Sequence, residues 1–251
     1  MNIVDQTNPN CICMVGSFPP PVTGMTLSNA AMRHYLSSLK VDFIEINLSP
    51  KALNRIWSVR LIRFIRVLVG LTLYLQILIK NRSKKTTLYI CLSGGSGQIY
   101  EILYVVLSKL VKAKMNFHHR CSSYLEKSFW RTQLLTKAAG SEAVHIVLCD
   151  EMGDRLKKTY SSVRNVFVLS NATLMEESVI PNSIEPKTKL KKIAFLGNIT
   201  AEKGIFEFLE VAEILQQEGV EIRALVAGPF HTPETKTVFF ERQSCLKTVE
   251  Y

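Results

Sequence analysis

Acidic residues are scarce in the first half of this 251-residue chain: residues 1–116 hold 4 of them against 14 lysines and arginines, while the remainder holds 17 of each. The whole net charge of +10 therefore arises before residue 117. A one-sided basic surface concentrates an anionic partner such as nucleic acid, phosphorylated lipid or an acidic membrane face. Nucleic acid is not expected among them, because the chain lacks zinc-finger spacing, an aromatic RNP pattern, a basic heptad region and any Arg-rich run. It also lacks a CxxC pair and a secretory signal at its start. The six cysteines (Cys11, Cys13, Cys91, Cys121, Cys149, Cys245) lie mostly among apolar residues. Reduced, buried thiols and a cytoplasmic location are expected from that usage. No third ligand stands at metal-like spacing from His118 and His119, so no metal is expected. There is no GxGxxG, no Gly-Lys-Ser/Thr of a Walker loop, no internal repeat and no low-complexity tract.

What the chain does have is apolar patterning that alternates between short β-rich runs and longer helical ones, the signature of βα units on a parallel sheet. Strands are expected at Cys11–Val15, Asp42–Asn47, Leu88–Leu92, Lys114–His118, His145–Leu148 and Val166–Leu169. Helices are expected at Met25–Lys40, within Arg55–Lys85, and at Gln98–Lys112, Ser128–Ala139 and Glu151–Tyr160. The fold class is α/β. A Rossmann-like domain over residues 1–170 follows, then a linker over 171–190 where Asn, Ser, Glu, Pro181 and Pro186 replace the periodic pattern. From 191 to 251 the pattern restarts as strand (KKIAFLG), helix (KGIFEFLEVAEILQQEG) and strand (EIRALVAG). One strand-helix-strand unit is expected to be incomplete, because parallel strands need neighbours on both sides.

Between Arg55 and Lys85 the sequence reads VLVGLTLYLQILI from Val67 to Ile79, flanked only by cations. Thirteen residues are too few to span a bilayer, which takes about 20. A helix here sets Arg60, Arg63, Arg66, Gly70 and Tyr74 along one stripe. Two readings stand: a mostly buried core helix with a solvated basic edge, or a helix lying on an anionic leaflet.

Three loops follow strands where parallel sheets bind their ligands. GSFPPPVTG, Gly16 to Gly24, precedes a helix whose amino terminus offers N–H groups to an anion, and its two glycines allow close backbone approach. SGGSG, Ser93 to Gly97, holds the corresponding place after the third strand, with Gly95 available to an acceptor. Both are equally compatible with ordinary turns. HHRCSSYL follows the fourth strand, where imidazole suits a sugar hydroxyl and Arg120 a phosphate or carboxylate; polar side chains that simply face water are the other reading of the same residues. His145, inside an apolar strand, reads as a satisfied core histidine.

The segment FLGNITAEKGIFEFLEVAEILQQEGVEIRALVAGP, Phe195 to Pro229, resembles the start of the donor domain in family 4 glycosyltransferases, which read strand, G-[R/N]-x-x-x-x-K-G, helix, and strand ending in A-G-P. The GSFPPPVTG loop, HHRCSSYL and VLSNATL resemble further landmarks of that family in the same order, so the likeness spans nearly the whole chain. It implies a GT-B-like fold, with an acceptor-side Rossmann-like domain and a donor-binding one. It also implies retaining, metal-independent transfer of a sugar from a nucleotide-sugar to a lipid-linked or polysaccharide acceptor, with no cofactor. On that resemblance His119 contacts the reacting sugar, with His118 turned away by strand alternation. Gly16 and Gly24 approach the donor phosphate, and Lys203 neutralises the leaving diphosphate. His118, Arg120 and Gly95 line the acceptor side. Asn198 stands where the family often has Arg, removing one positive charge. The family's paired-glutamate motif on a later helix lies beyond what this sequence contains, so a truncated chain, doubtful in activity by itself, is expected. A non-catalytic module binding anionic lipid or protein is the alternative, and a peripheral position at the inner membrane face suits either.

Overall fold

A computed structural model describes residues 11–49, 57–81, 86–174, 191–246 and 248–251. The chain divides into two compact units, Met1–Ile180 and Pro181–Tyr251, and each is described by itself. Most of the expected linker, residues 175–190, lies outside the described residues, as do Arg55, Arg82, Lys84 and Lys85.

The first unit alternates strands and helices: β1 (Cys11–Gly16), α1 (Gly24–Ser38), β2 (Phe43–Asn47), α2 (Trp57–Lys80), β3 (Thr86–Cys91), α3 (Gln98–Leu110), β4 (Lys114–His118), α4 (Ser123–Glu126), α5 (Trp130–Ala139), β5 (Val144–Val147), α6 (Asp150–Thr159) and β6 (Asn165–Val168). The strands form one sheet in the order β2-β1-β3-β4-β5-β6, every pairing parallel. This is a Rossmann-like α/β sheet. β3 is buried at all six positions, as expected of a central parallel strand covered on both faces. The order reverses at β1 and β3, so the loops after those strands diverge to opposite faces and leave a crevice at their carboxyl ends.

One face of the sheet carries α2, α3 and α5, packed through Val67, Tyr74, Tyr104, Leu135 and Ala139 onto Leu88, Ile90 and Phe117. The other carries α1, whose Met32 meets Met14, Phe18 and Tyr89. A 3-10 turn at Asn171–Leu174 packs beside α1.

In α2 the described part of the stripe expected as a solvated basic edge, Arg63 to Tyr74, faces the protein. Gly70 and Tyr74 are buried, and Tyr74 hydrogen-bonds Ser108 at 2.6 Å. Arg63 and Arg66 are half-buried, and Arg66 donates to the carbonyl of Ser49. Gly70 explains the orientation: a Cβ there would lie 2.4 Å from the Tyr104 hydroxyl and 2.9 Å from Ile46. Only glycine lets this turn of the helix approach its neighbours so closely.

The second unit contains β7 (Lys192–Leu196), α7 (Ile205–Gln217), β8 (Arg223–Ala227), α8 (Pro233–Gln243) and β9 (Val249–Glu250), with a 3-10 turn at Ala201–Lys203 before α7. Its sheet runs β7-β8-β9, all parallel. The expected strand-helix-strand unit is thus too small, because Val249 and Glu250 supply a third strand. Ile205, Leu209, Ala212 and Phe239 from the two helices pack on Ala224, Val226 and Val249. The sheet's opposite face presents Lys192, Ala194, Arg223 and Leu196, the last 86% exposed.

Candidate functional site

The carboxyl ends of β1, β3 and β4 bring three of the sequence-predicted loops to one end of the first unit. Residues 17–23, after β1, are pinned from both sides. Asn29 of α1 donates to the Ser17 carbonyl at 2.9 Å, and the Ser49 hydroxyl donates to the Pro20 carbonyl at 2.8 Å. Phe18 N–H donates to Asn47 Oδ1 at 3.3 Å. Thr23 caps α1, since its hydroxyl accepts from Thr26 N–H at 3.2 Å while the Thr26 hydroxyl accepts from Thr23 N–H at 2.8 Å. Two orphan donors are satisfied by this exchange.

The space beside the Gly16 Cα, where the sequence suggests a phosphate, is taken by Asn29. A Cβ at Gly16 would lie 2.8 Å from Asn29 Nδ2, so the missing side chain makes room for the amide. Gly24 is exposed, with nothing within 4 Å of its would-be Cβ. It is the open position of this loop.

Glu101, one turn into α3, is buried directly beneath SGGSG. It accepts from Ser93 N–H at 3.0 Å and from the Ser93 hydroxyl at 2.6 Å. Burial pushes its carboxyl up to about 7, against the pull of the Ser93 hydrogen bonds and of Arg63. Gln98 donates to the Ser93 carbonyl at 2.9 Å and accepts from the Thr132 hydroxyl at 2.8 Å. Gly94 gives way to the Cys121 thiol and Gly97 to Ser93 and Arg63, whereas Gly95 is exposed and open.

His118 and His119 point to opposite faces, as alternation requires. His118 Nδ1 is hydrogen-bonded to the Tyr89 hydroxyl at 2.7 Å, and its Nε2 is buried without a partner. His119 is fully buried between the Tyr124 hydroxyl, 3.1 Å from Nδ1, and His145 Nδ1, 2.9 Å from Nε2. Both of its ring nitrogens are used inside the protein. The expected contact of His119 with a sugar is therefore not open in this structure, because Tyr124 of α4, a helix absent from the sequence reading, closes over the ring. His145 is bonded at Nδ1 only, its Nε2 being buried without a partner. Burial lowers His119 well below the usual histidine range, with the neighbouring histidines acting in the same direction. Burial likewise lowers His118 to about 3, helped by the Arg120 charge, and His145 to about 4. All three are neutral imidazoles, and only His119 and His145 are joined to each other.

Arg120 lies beyond β4 and reaches toward α1. Its Nη1 donates to the Ser28 hydroxyl at 2.6 Å and to Asn171 of the 3-10 turn. Nε and Nη2 are buried without hydrogen-bond partners. The guanidinium expected to meet a ligand's phosphate instead ties α1 to the segment after β6.

In the second unit Gly197 follows the last residue of β7, with a φ of +141° that only glycine adopts readily, and Asn198 comes next, half-buried. Lys203 ends the 3-10 turn, exposed, immediately before Gly204, whose φ of +81° opens α7. Its Nζ lies 3.7 Å from the position of a Cβ on Gly197, so the ammonium folds back over the end of β7.

No family model matches this chain, and no curated protein matches it. The site is accordingly defined by its own geometry. Ser28, Tyr89, Glu101, Tyr124 and Asn171 complete it; HHRCSSYL and VLSNATL contain Tyr124 and Asn171, whereas Ser28, Tyr89 and Glu101 lie outside the motifs singled out in the sequence. Of those three Glu101 carries a signal, as the one acid among the first 116 residues that falls within an otherwise apolar helix repeat. Among the described residues no group of three or more His, Cys, Asp or Glu side chains is placed to hold a metal ion.

Proposed function

We propose that this chain is a nucleotide-sugar-dependent glycosyltransferase of GT-B type. Its first unit would receive a lipid-linked or polysaccharide acceptor, and its second would contact the donor diphosphate. The observation that carries the proposal is the turn from Gly197 to Gly204, where a lysine folds back over a glycine strand end at the start of a 13-residue helix. Helix amino termini and a nearby ammonium together suit a diphosphate, and they act most strongly when charge builds on the leaving group. Lys203 is the electrostatic residue, Gly197 and Asn198 border the phosphate, Gly24 is the open position of the loop expected at the donor phosphate, and Gly95 is the open position of the acceptor side. Transfer with retention and without a metal fits a site that relies on fixed donors. No cofactor is required.

A non-catalytic binding module is the second reading, and the burial of His119 favours it: no imidazole at this end presents a free nitrogen to solvent. Saturation-transfer NMR with uridine and guanosine diphosphate sugars decides between them. The transferase reading expects weak contact with one nucleotide class, absent in Lys203→Ala, with no micromolar binding by isothermal titration. Contact that survives Lys203→Ala, or none with any nucleotide-sugar, overturns it.

A further inference from the structure

The outer faces of α2 and α3 are apolar and uncovered. From Leu61 to Lys80, α2 is long and apolar enough to cross a membrane, yet only 22% of that stretch is buried. Its inner stripe, Val67, Gly70, Tyr74 and Leu78, packs on the first unit. The opposite side presents Ile62, Ile65 and Val69, with Ile65 50% exposed. α3 repeats the arrangement, with Ile99, Leu103 and Val106 exposed at helical spacing and Tyr104, Val105 and Ser108 buried. The two helices touch through Tyr74 and Ser108 on the same face of the sheet, so their outer stripes adjoin on one side of the unit.

An exposed patch built from two helix faces exceeds what scattered surface apolar residues produce. Its charge identifies the occupant. α2 contains no acid, the one acid of α3 is the buried Glu101, and the exposed ends of the two helices carry Lys80 and Lys109. Trp57, 76% exposed at the first turn of α2, is the amphipathic side chain favoured at a membrane-water boundary. A bilayer crossing is excluded by the inner stripe, since a spanning α2 would strip Tyr74 and Val67 from the sheet.

We infer that the α2–α3 face is a docking surface for an anionic phospholipid bilayer, lying in the interface with its outer side chains among the acyl chains and its cations among the headgroups. The inference is independent of the glycosyltransfer reading, because it needs neither nucleotide nor acceptor.

Flotation of the full chain with vesicles of phosphatidylcholine, alone or mixed with phosphatidylglycerol, tests it. The mixed vesicles should carry the protein upward, and binding should persist partly in high salt because apolar burial is unscreened. Ile65→Glu combined with Leu103→Glu should lower partitioning at least about tenfold, with circular dichroism unchanged, since both sites are exposed. Val211→Glu on α7, equally exposed in the other unit, should float like the parent. In Trp130→Phe protein the emission of Trp57 should shift to the blue on mixed vesicles. The inference falls if the parent stays with the buffer on both vesicle types, or if the double variant floats as the parent does. It also falls if light scattering shows a vesicle-indifferent dimer that the double variant dissociates, which would assign the face to a second copy.

Discussion

His119 Nε2 and His145 Nδ1 stand 2.9 Å apart inside the first unit, so two fully buried imidazoles share one hydrogen bond. Only one proton fits between them, and burial keeps both rings neutral. His118, on the other sheet face, is held neutral by its own burial.

That arrangement dictates an acid-labile fold. In the unfolded chain histidines titrate near 6.5, whereas in the folded protein they do so at about 3 for His118 and about 4 for His145. The unfolded state therefore takes up more protons as pH falls. The stabilisation is complete above about pH 6.5 and is lost as pH drops toward the folded values, by up to about 1.4 kcal/mol per pH unit for each histidine. Urea midpoints should fall between pH 7 and pH 5, and His145→Phe should make that fall shallower. A flat profile in the parent would contradict neutral burial.

Glu101 acts in the opposite sense. Its folded value of about 7 exceeds the ordinary 4.5, so its contribution is fully present below pH 4.5 and is lost as pH rises through 7. Glu101→Gln retains an acceptor for Ser93 and cannot ionise. It should be more stable than the parent at pH 8, and the difference should vanish near pH 4; denaturant midpoints at the two values measure this.

Gly70→Ala should destabilise the first unit by about 1 to 3 kcal/mol, as overpacking commonly does, although alanine is the better helix former by about 1 kcal/mol. The reason is the 2.4 Å separation between the added carbon and the Tyr104 hydroxyl. A thermal melt showing an increase in Tm would mean that the helix has room to shift outward.

Gly228→Ala should be more severe. The residue has a φ of +140°, and its Cβ would lie 1.9 Å from the Gly197 carbonyl oxygen, a backbone atom that no rotamer can move. Hydrogen exchange should show loss of protection across residues 191–251 while β1 to β6 remain protected. Uniform loss over both units would show that they do not unfold separately.

Much of the fold was legible because strand and helix periods are local. The run from Lys114 to His118 was read at its observed limits, and helix starts at Gln98 and near Gly24 followed from the glycine turns before them. α4 was not legible: four residues are too short for a periodic signal. β9 was missed for the same reason, since two residues become a strand only through pairing with β8.

The candidate site was legible as a location and not as a set of contacts. Loops after parallel strands must gather at the sheet's carboxyl end, and sequence order alone placed Gly16, Gly95 and His118 there. Whether each group faces a ligand or the interior depends on residues far away in the chain. His119 is closed in by His145, Gly16 by Asn29, and Arg120 by Ser28 and Asn171.

By itself the sequence determined the alternation of strands and helices, the parallel class of the sheet and the concentration of positive charge before residue 117, because each is a property of composition or short-range spacing. Tertiary structure alone decided which side of α2 faces inward. A stripe of three arginines, a glycine and a tyrosine has no preferred direction until Tyr104 and Ile46 come within reach of Gly70. Side-chain fit across the helix layer then turns the apolar face to the outside.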